Sequence, residues 1–142
     1  MAGKQNAQIQ LGIEMLLDRA CPGGGWNAGN GVAFGVALAP HAEATAIALL
    51  ALQGTDASRC RLVKDSLGRL IKQTSQCRGI TSAAWAIIAF HAYQIESGVV
   101  SERLDHLAQL VSPADRIDNA TLAVAALALG AASGRNPFEV AA

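Results

Sequence analysis

The side chains able to do chemistry in this chain are few and widely spaced. His41 and Glu43 stand two residues apart behind Pro40, and Thr81 and Asp118 recur at corresponding places in later segments. An imidazole, two carboxylates and a hydroxyl gathered at one rim would orient a ligand or transfer a proton. Each also has a local role open to it: Glu43 complements a helix N-terminus, His41 caps or faces water, and Asp118 accepts from first-turn amides. Cys21, Cys77, His41 and Asp118 have the donor chemistry of a zinc site. They come from separate segments without close paired spacing, so buried or idle thiols are expected and no cofactor is called for. Trp26 follows Gly23-Gly24-Gly25, backbone free to take positive φ, and its large ring would wedge a corner between helices or contribute to the same binding surface. His91 and His106 fall within helical patterns, where a satisfied structural role is the expectation. No Gly-x-Gly-x-x-Gly follows a strand, the triple glycine lacks a phosphate-loop Lys and Ser/Thr, and spacing alone assembles no Ser/His/Asp trio.

The elements that must hold these residues follow from composition. Of 142 residues, 51% are hydrophobic, only 4% aromatic and 15% charged, so the core has to be built from Ala, Leu, Ile and Val. That favours closely approaching helices, and an all-α chain without a sheet is expected. Eleven basic and eleven acidic residues cancel, and no Lys/Arg stripe tracks phosphates, so nucleic-acid and membrane-surface roles lose support. The apolar window 31–52 is interrupted by Pro40, His41 and Glu43, and 120–132 is too short to span hydrocarbon. Residues 1–10 lack the apolar region of a secretory signal, and three cysteines without C-x-x-C spacing fit reduced thiols, so a cytoplasmic location is expected.

One segment occurs three times. Ile47-Ala48-Leu49-Leu50-Ala51-Leu52 reappears as Trp85-Ala86-Ile87-Ile88-Ala89-Phe90 and as Val124-Ala125-Ala126-Leu127-Ala128-Leu129, at offsets of 38 and 39 residues. A fixed period of this length is the signature of a stacked repeat. Each copy follows an amphipathic stretch: Ile9, Ile13, Leu16 and Leu17 in 7–20; Leu62, Val63, Leu67, Leu70 and Ile71 in 58–73; Leu104, Leu107 and Leu110 against Glu102, Arg103, Asp105 and Gln109 in 101–111. The chain 1–142 thus reads as one domain of three antiparallel helical hairpins at about 7–53, 58–94 and 101–133, outer amphipathic and inner apolar helices alternating. Asp56, Ser58, Ser101 and Asp118 are the expected N-caps, and Gly54, Gly98 and Gly134 the expected stops. The first connection, 21–40, is far longer than the others, which marks it for binding or assembly.

Gly24-Gly25-Trp26-Asn27 leading into Glu43-Ala44-Thr45-Ala46-Ile47-Ala48-Leu49-Leu50-Ala51-Leu52 resembles one repeat of the squalene cyclase and protein prenyltransferase β-subunit superfamily. The resemblance implies an α/α-toroid repeat, here a half toroid, because a complete family ring needs about six hairpins. Ala20 stands where the family repeat has Gln, and Gly23 where an Asp is common. The Asp-x-Asp-Asp acid of the cyclases has only Asp115-Arg116-Ile117-Asp118 as a poor counterpart, and the prenyltransferase zinc trio has none. The resemblance therefore implies a module not catalytic on its own, binding an apolar small molecule or a protein partner through its inner-helix surface, with Trp26, His41, Glu43, Thr81 and Asp118 as candidate contacts. The alternative is a subunit or fragment of an isoprenoid-handling enzyme whose acid or zinc site is incomplete. An arc of three hairpins leaves Leu16, Leu17, Val124 and Leu127 on open end faces, for which a homodimer is the expected remedy.

Overall fold

The computed structural model describes residues 2–112 and 117–138. Its elements are α1 (Ala2–Asp18), β1 (Val32–Ala33), β2 (Val36–Ala37), α2 (Ala42–Leu52), α3 (Arg61–Thr74), α4 (Ile80–Ala92), α5 (Ser97–Val111) and α6 (Asn119–Ala132), with a 3-10 turn at Asp56–Arg59. The fold is mostly helical. The expectation of a chain without any sheet fails in one place, inside the long first connection, where Val32 pairs with Ala37 and Ala33 with Val36. Two β-branched valines favour extended backbone there, and Phe34 and Gly35 close the hairpin with φ of 50° and 76°, the left-handed pair that a two-residue turn requires.

Why α4 lies innermost follows from its sequence, which has no polar stripe. It packs against α2, α3, α5 and α6, and Ala84, Ala86, Ile87, Ile88, Ala89 and Phe90 are all sealed from solvent. Small alanines between the larger side chains let neighbouring helices approach closely. The ends of the apolar helices identify their direction. Thr81 and Thr121, in the first turns of α4 and α6, face each other at 3.4 Å, and Gln53 just past α2 donates to the Ala92 carbonyl at the end of α4. Helices α2, α4 and α6 therefore run the same way in a row. Helix α3 touches both α2 and α4, and α5 touches both α4 and α6. Near its end α3 meets the chain entering α2, where Gln73 donates to the Pro40 carbonyl, so it runs the opposite way. The amphipathic reading of α3 holds: Val63, Leu67 and Leu70 are buried while Arg61, Lys64 and Asp65 are exposed.

Several boundaries differ from expectation, each for a local reason. Asp56 and Ser58 form the 3-10 turn instead of capping α3, which begins at Arg61 behind an uncapped Cys60. Helix α4 stops without glycine: Gln94 takes the left-handed conformation at φ 53°, and the Ile95 amide reaches back to the Phe90 carbonyl to close the last turn. Gly98 is thereby absorbed into α5, which starts at Ser97, so Ser101 is an interior residue and not a cap. Gly54 and Gly134, at φ 72° and 77°, do follow α2 and α6 as expected.

Arg103 departs furthest from its expected place on a wet face, being only 4% exposed. Its guanidinium donates to the Ile71 carbonyl in the last turn of α3, where unpaired carbonyls attract a cation, and sits 2.9 Å from Glu102. The expected open ends also change. Leu16 and Leu17 pack on the core cluster that joins α2, α3 and α4, and Val124 on the cluster that joins α4, α5 and α6. Leu127 is exposed, and so are Ile9, Leu11 and Met15 of α1 and Leu122 and Leu129 of α6.

Candidate functional site

The corner at 21–26 is built from backbone that only glycine supplies cheaply. Gly23, Gly24 and Gly25 have φ of 78°, 97° and 85° in succession, which turns the chain sharply after α1. A Cβ on Gly24 would stand 2.9 Å from the Ser66 amide nitrogen, and one on Gly25 2.7 Å from Pro40, so the turn is pressed against both α3 and the entry to α2. Buried hydroxyls then satisfy its polar groups. Ser66 Oγ accepts from the Gly25 amide at 2.7 Å, and Thr45 Oγ1 accepts from the Trp26 amide at 2.9 Å while donating to the Trp26 carbonyl. Arg69 Nη1 donates to the carbonyls of Pro22 and Gly24. These partners interrupt otherwise apolar or charged helix faces, Ser66 among Leu62, Val63 and Leu67 being the one signal in the sequence that marked them.

Trp26 sits inside the core at 3% exposure, in the same buried cluster as Leu49, Leu52 and Phe90, with Nε1 donating to the Leu16 carbonyl at 2.7 Å. It ties α1 to α2 and lies on no open surface. The other four candidate contacts are placed at the starts of the three parallel helices. His41 precedes α2 with extended backbone, makes no side-chain cap and is exposed, while Glu43 is half-buried in the first turn. Thr81 and Asp118 are linked through Thr121, whose hydroxyl donates to Asp118 Oδ2 at 2.6 Å and stands 3.4 Å from Thr81 Oγ1. Asp118 also accepts from the Thr121 amide, as a helix cap does, and these two donors hold its carboxyl below the usual range. Thr81 and Asp118 therefore form a connected pair. No hydrogen bond or ion pair among the described residues joins His41 or Glu43 to it.

The four potential zinc donors stand in different surroundings. Cys21 is buried within the glycine corner, Cys77 is half-buried near the Gly79 carbonyl with its thiol pushed up by burial, and His41 and Asp118 are exposed. Among the described residues no group of three or more His, Cys, Asp or Glu side chains is arranged to hold a metal ion. Asp115 and Arg116, from the weak acid-motif counterpart, lie outside the described residues. His106 takes a structural role, one ring nitrogen lying 2.6 Å from the Cys77 carbonyl.

Two further surfaces were not legible beforehand. The chain after α6 folds back over α4: Asn136 donates to the Ile88 carbonyl, and the Phe138 ring lies 5.4 Å from that of Trp85 at a tilt of 58°. Trp85 is half-buried beneath it. At the far end of α4, a cleft of about 460 Å³ opens between the α4–α5 turn and α6, lined by His91, Ile95, Val100, Leu104 and Ala132 among others.

Known protein families, curated proteins and solved structures offer no match to this chain. Among the described residues no helix is long and apolar enough to cross a membrane.

Proposed function

We propose that this chain is a helical-hairpin repeat module of the squalene cyclase and prenyltransferase type, not catalytic on its own, whose inner-helix surface binds an apolar molecule or a protein partner. The observation that carries this reading is the parallel row α2, α4 and α6 with α3 and α5 each bridging a neighbouring pair. In this reading the row leaves one side of the apolar helices free of α3 and α5, and the half-buried Trp85 of α4 belongs to that side. The chain's own Phe138 already rests there, which supports an affinity of this surface for flat or branched apolar groups. Polar rims of the kind Thr81, Thr121 and Asp118 make would orient the head of such a ligand.

The test uses a Trp26→Phe variant, in which Trp85 is the sole indole, titrated with a C15 isoprenoid alcohol while its emission is followed. Saturable change is expected, with tighter binding after Phe138→Ala. A linear response equal to that of free tryptophan would overturn the proposal. Mass spectrometry of lipids retained through purification would identify the natural class.

A further inference from the structure

Among the three copies of the apolar helix, the same positions are buried wherever a neighbour exists and bare where it does not. Ala46, Leu49 and Leu50 of α2 correspond to Ala84, Ile87 and Ile88 of α4 at an offset of 38, and these to Ala123, Ala126 and Leu127 of α6 at an offset of 39. The α2 set lies against α4, and the α4 set shares a core cluster with Val124, Ala128 and Ala131 of α6. Of the six residues in those two sets, five are sealed and Leu50 is half-buried; the α6 set is exposed throughout. The opposite edge behaves in the mirror sense. Ala89 of α4 and Ala128 of α6, which face the preceding helix, are 0% exposed, whereas their counterpart Ala51 on α2 is exposed and Ile47 beside it is 44% exposed. Beyond Thr121 the stretch 120–132 has no polar side chain, so α6 carries none of the polar capping that a terminal repeat requires.

Helix α3 covers α2 as well as α4, and α5 covers α4 as well as α6. By the same rule α1 should cover the helix preceding α2, and it carries Ile9, Leu11 and Met15 in the open. On α6, Leu122, Ala126 and Leu129 recur at intervals of four and three residues and are all exposed.

We infer that the exposed face of α6 and the exposed residues of α1 together with the Ile47 and Ala51 edge of α2 are the two halves of one interface, through which a second copy of this chain continues the stack head to tail. It is a heterologous contact, different surfaces meeting, and so it closes into a ring or extends as a chain according to the rotation it imposes. The inference rests on the repeat reading proposed above and not on the ligand, so failure of lipid binding leaves it standing.

The experiment measures sedimentation of the wild-type chain, Ala51→Glu, Ala123→Glu and an equimolar mixture of the two variants. Both alanines are exposed in a single copy, so the circular dichroism and thermal midpoint of each variant should match the wild type; Ala51→Lys and Ala123→Lys repeat the test with the opposite charge. The wild type should associate at micromolar concentration, and either Glu should weaken that association at least about 30-fold by placing an unpaired charge in an apolar contact. The mixture should recover a 1:1 dimer, because the intact α6 face of one variant meets the intact α1/α2 surface of the other. A monomeric wild type, a mixture that stays monomeric, or an Ala51→Glu variant that associates like the wild type would each overturn the inference.

Discussion

Trp26→Ala removes a side chain that ties α1 to α2 through both packing and a hydrogen bond. A tryptophan buries roughly 150–250 Å², which at about 25 cal/mol per Å² is about 4–6 kcal/mol, and alanine retains part of it. The ring is 3% exposed within the core cluster that also holds Leu49, Leu52 and Phe90, so little collapse can fill the space it leaves. The expected loss is about 4 kcal/mol, within the range of large aromatic truncations. Trp26→Phe keeps most of the ring but loses the 2.7 Å bond from Nε1 to the Leu16 carbonyl, and should cost about 1–2 kcal/mol. Urea unfolding followed by far-UV circular dichroism measures both, and an unchanged m-value shows that the same surface is exposed on unfolding. A loss below about 0.5 kcal/mol for the alanine variant, the range of surface substitutions, would refute the corner as a structural joint and place the ring on an exposed binding surface.

Gly25→Ala and Gly35→Ala both force a side chain onto left-handed backbone, but only the first meets Pro40 at 2.7 Å, the second meeting nothing within 4 Å. We expect about 1 kcal/mol from Gly35→Ala and at least about 2–3 kcal/mol from Gly25→Ala in the same urea assay. Burial pushes the Tyr93 hydroxyl, which donates to the Leu49 carbonyl, from its ordinary 10.0 up to about 12. The folded state thus holds this proton more tightly, so the associated stability is complete below pH 10 and lost as the pH rises toward about 12. Tyr93→Phe should flatten that limb of a thermal-midpoint profile. Asp118 has the opposite sign: its stabilising contribution is present above the ordinary carboxyl value of 3.8 and fades as the pH falls through its lower folded value. NMR titration of its side chain should show the depression, and Thr121→Val should reduce it by removing the hydroxyl donor.

How much of this was legible depended on whether the deciding interaction was local. The three apolar helices, the burial of Trp26 behind its glycines and the Asp118 cap were each readable, because hydrophobic period, positive-φ residues and capping oxygens act within a few positions. Gly98 misled because a glycine stop is a preference, and the Ile95 to Phe90 closure let Gln94 serve instead, lengthening α5. Arg103 misled because its partner, the end of α3, lies 32 residues away, and no periodicity reports which cation finds a buried carbonyl. The same holds for Phe138 on Trp85, a contact that spans more than one period of the sequence. Among the candidate contacts, Thr81 and Asp118 are joined through Thr121, a link that their spacing did not disclose.

Because α4 touches four other helices while α1 is held chiefly through the glycine corner, amide protection should be graded along the chain. The amides of α4 would exchange only when the whole domain opens, since freeing them means parting α2 from α6. Those of α1 would exchange through a smaller excursion in which the first helix lifts off and the rest persists. The chain would then unfold unequally, with α4 setting the slowest clock and α1 acting as a latch that opens on its own.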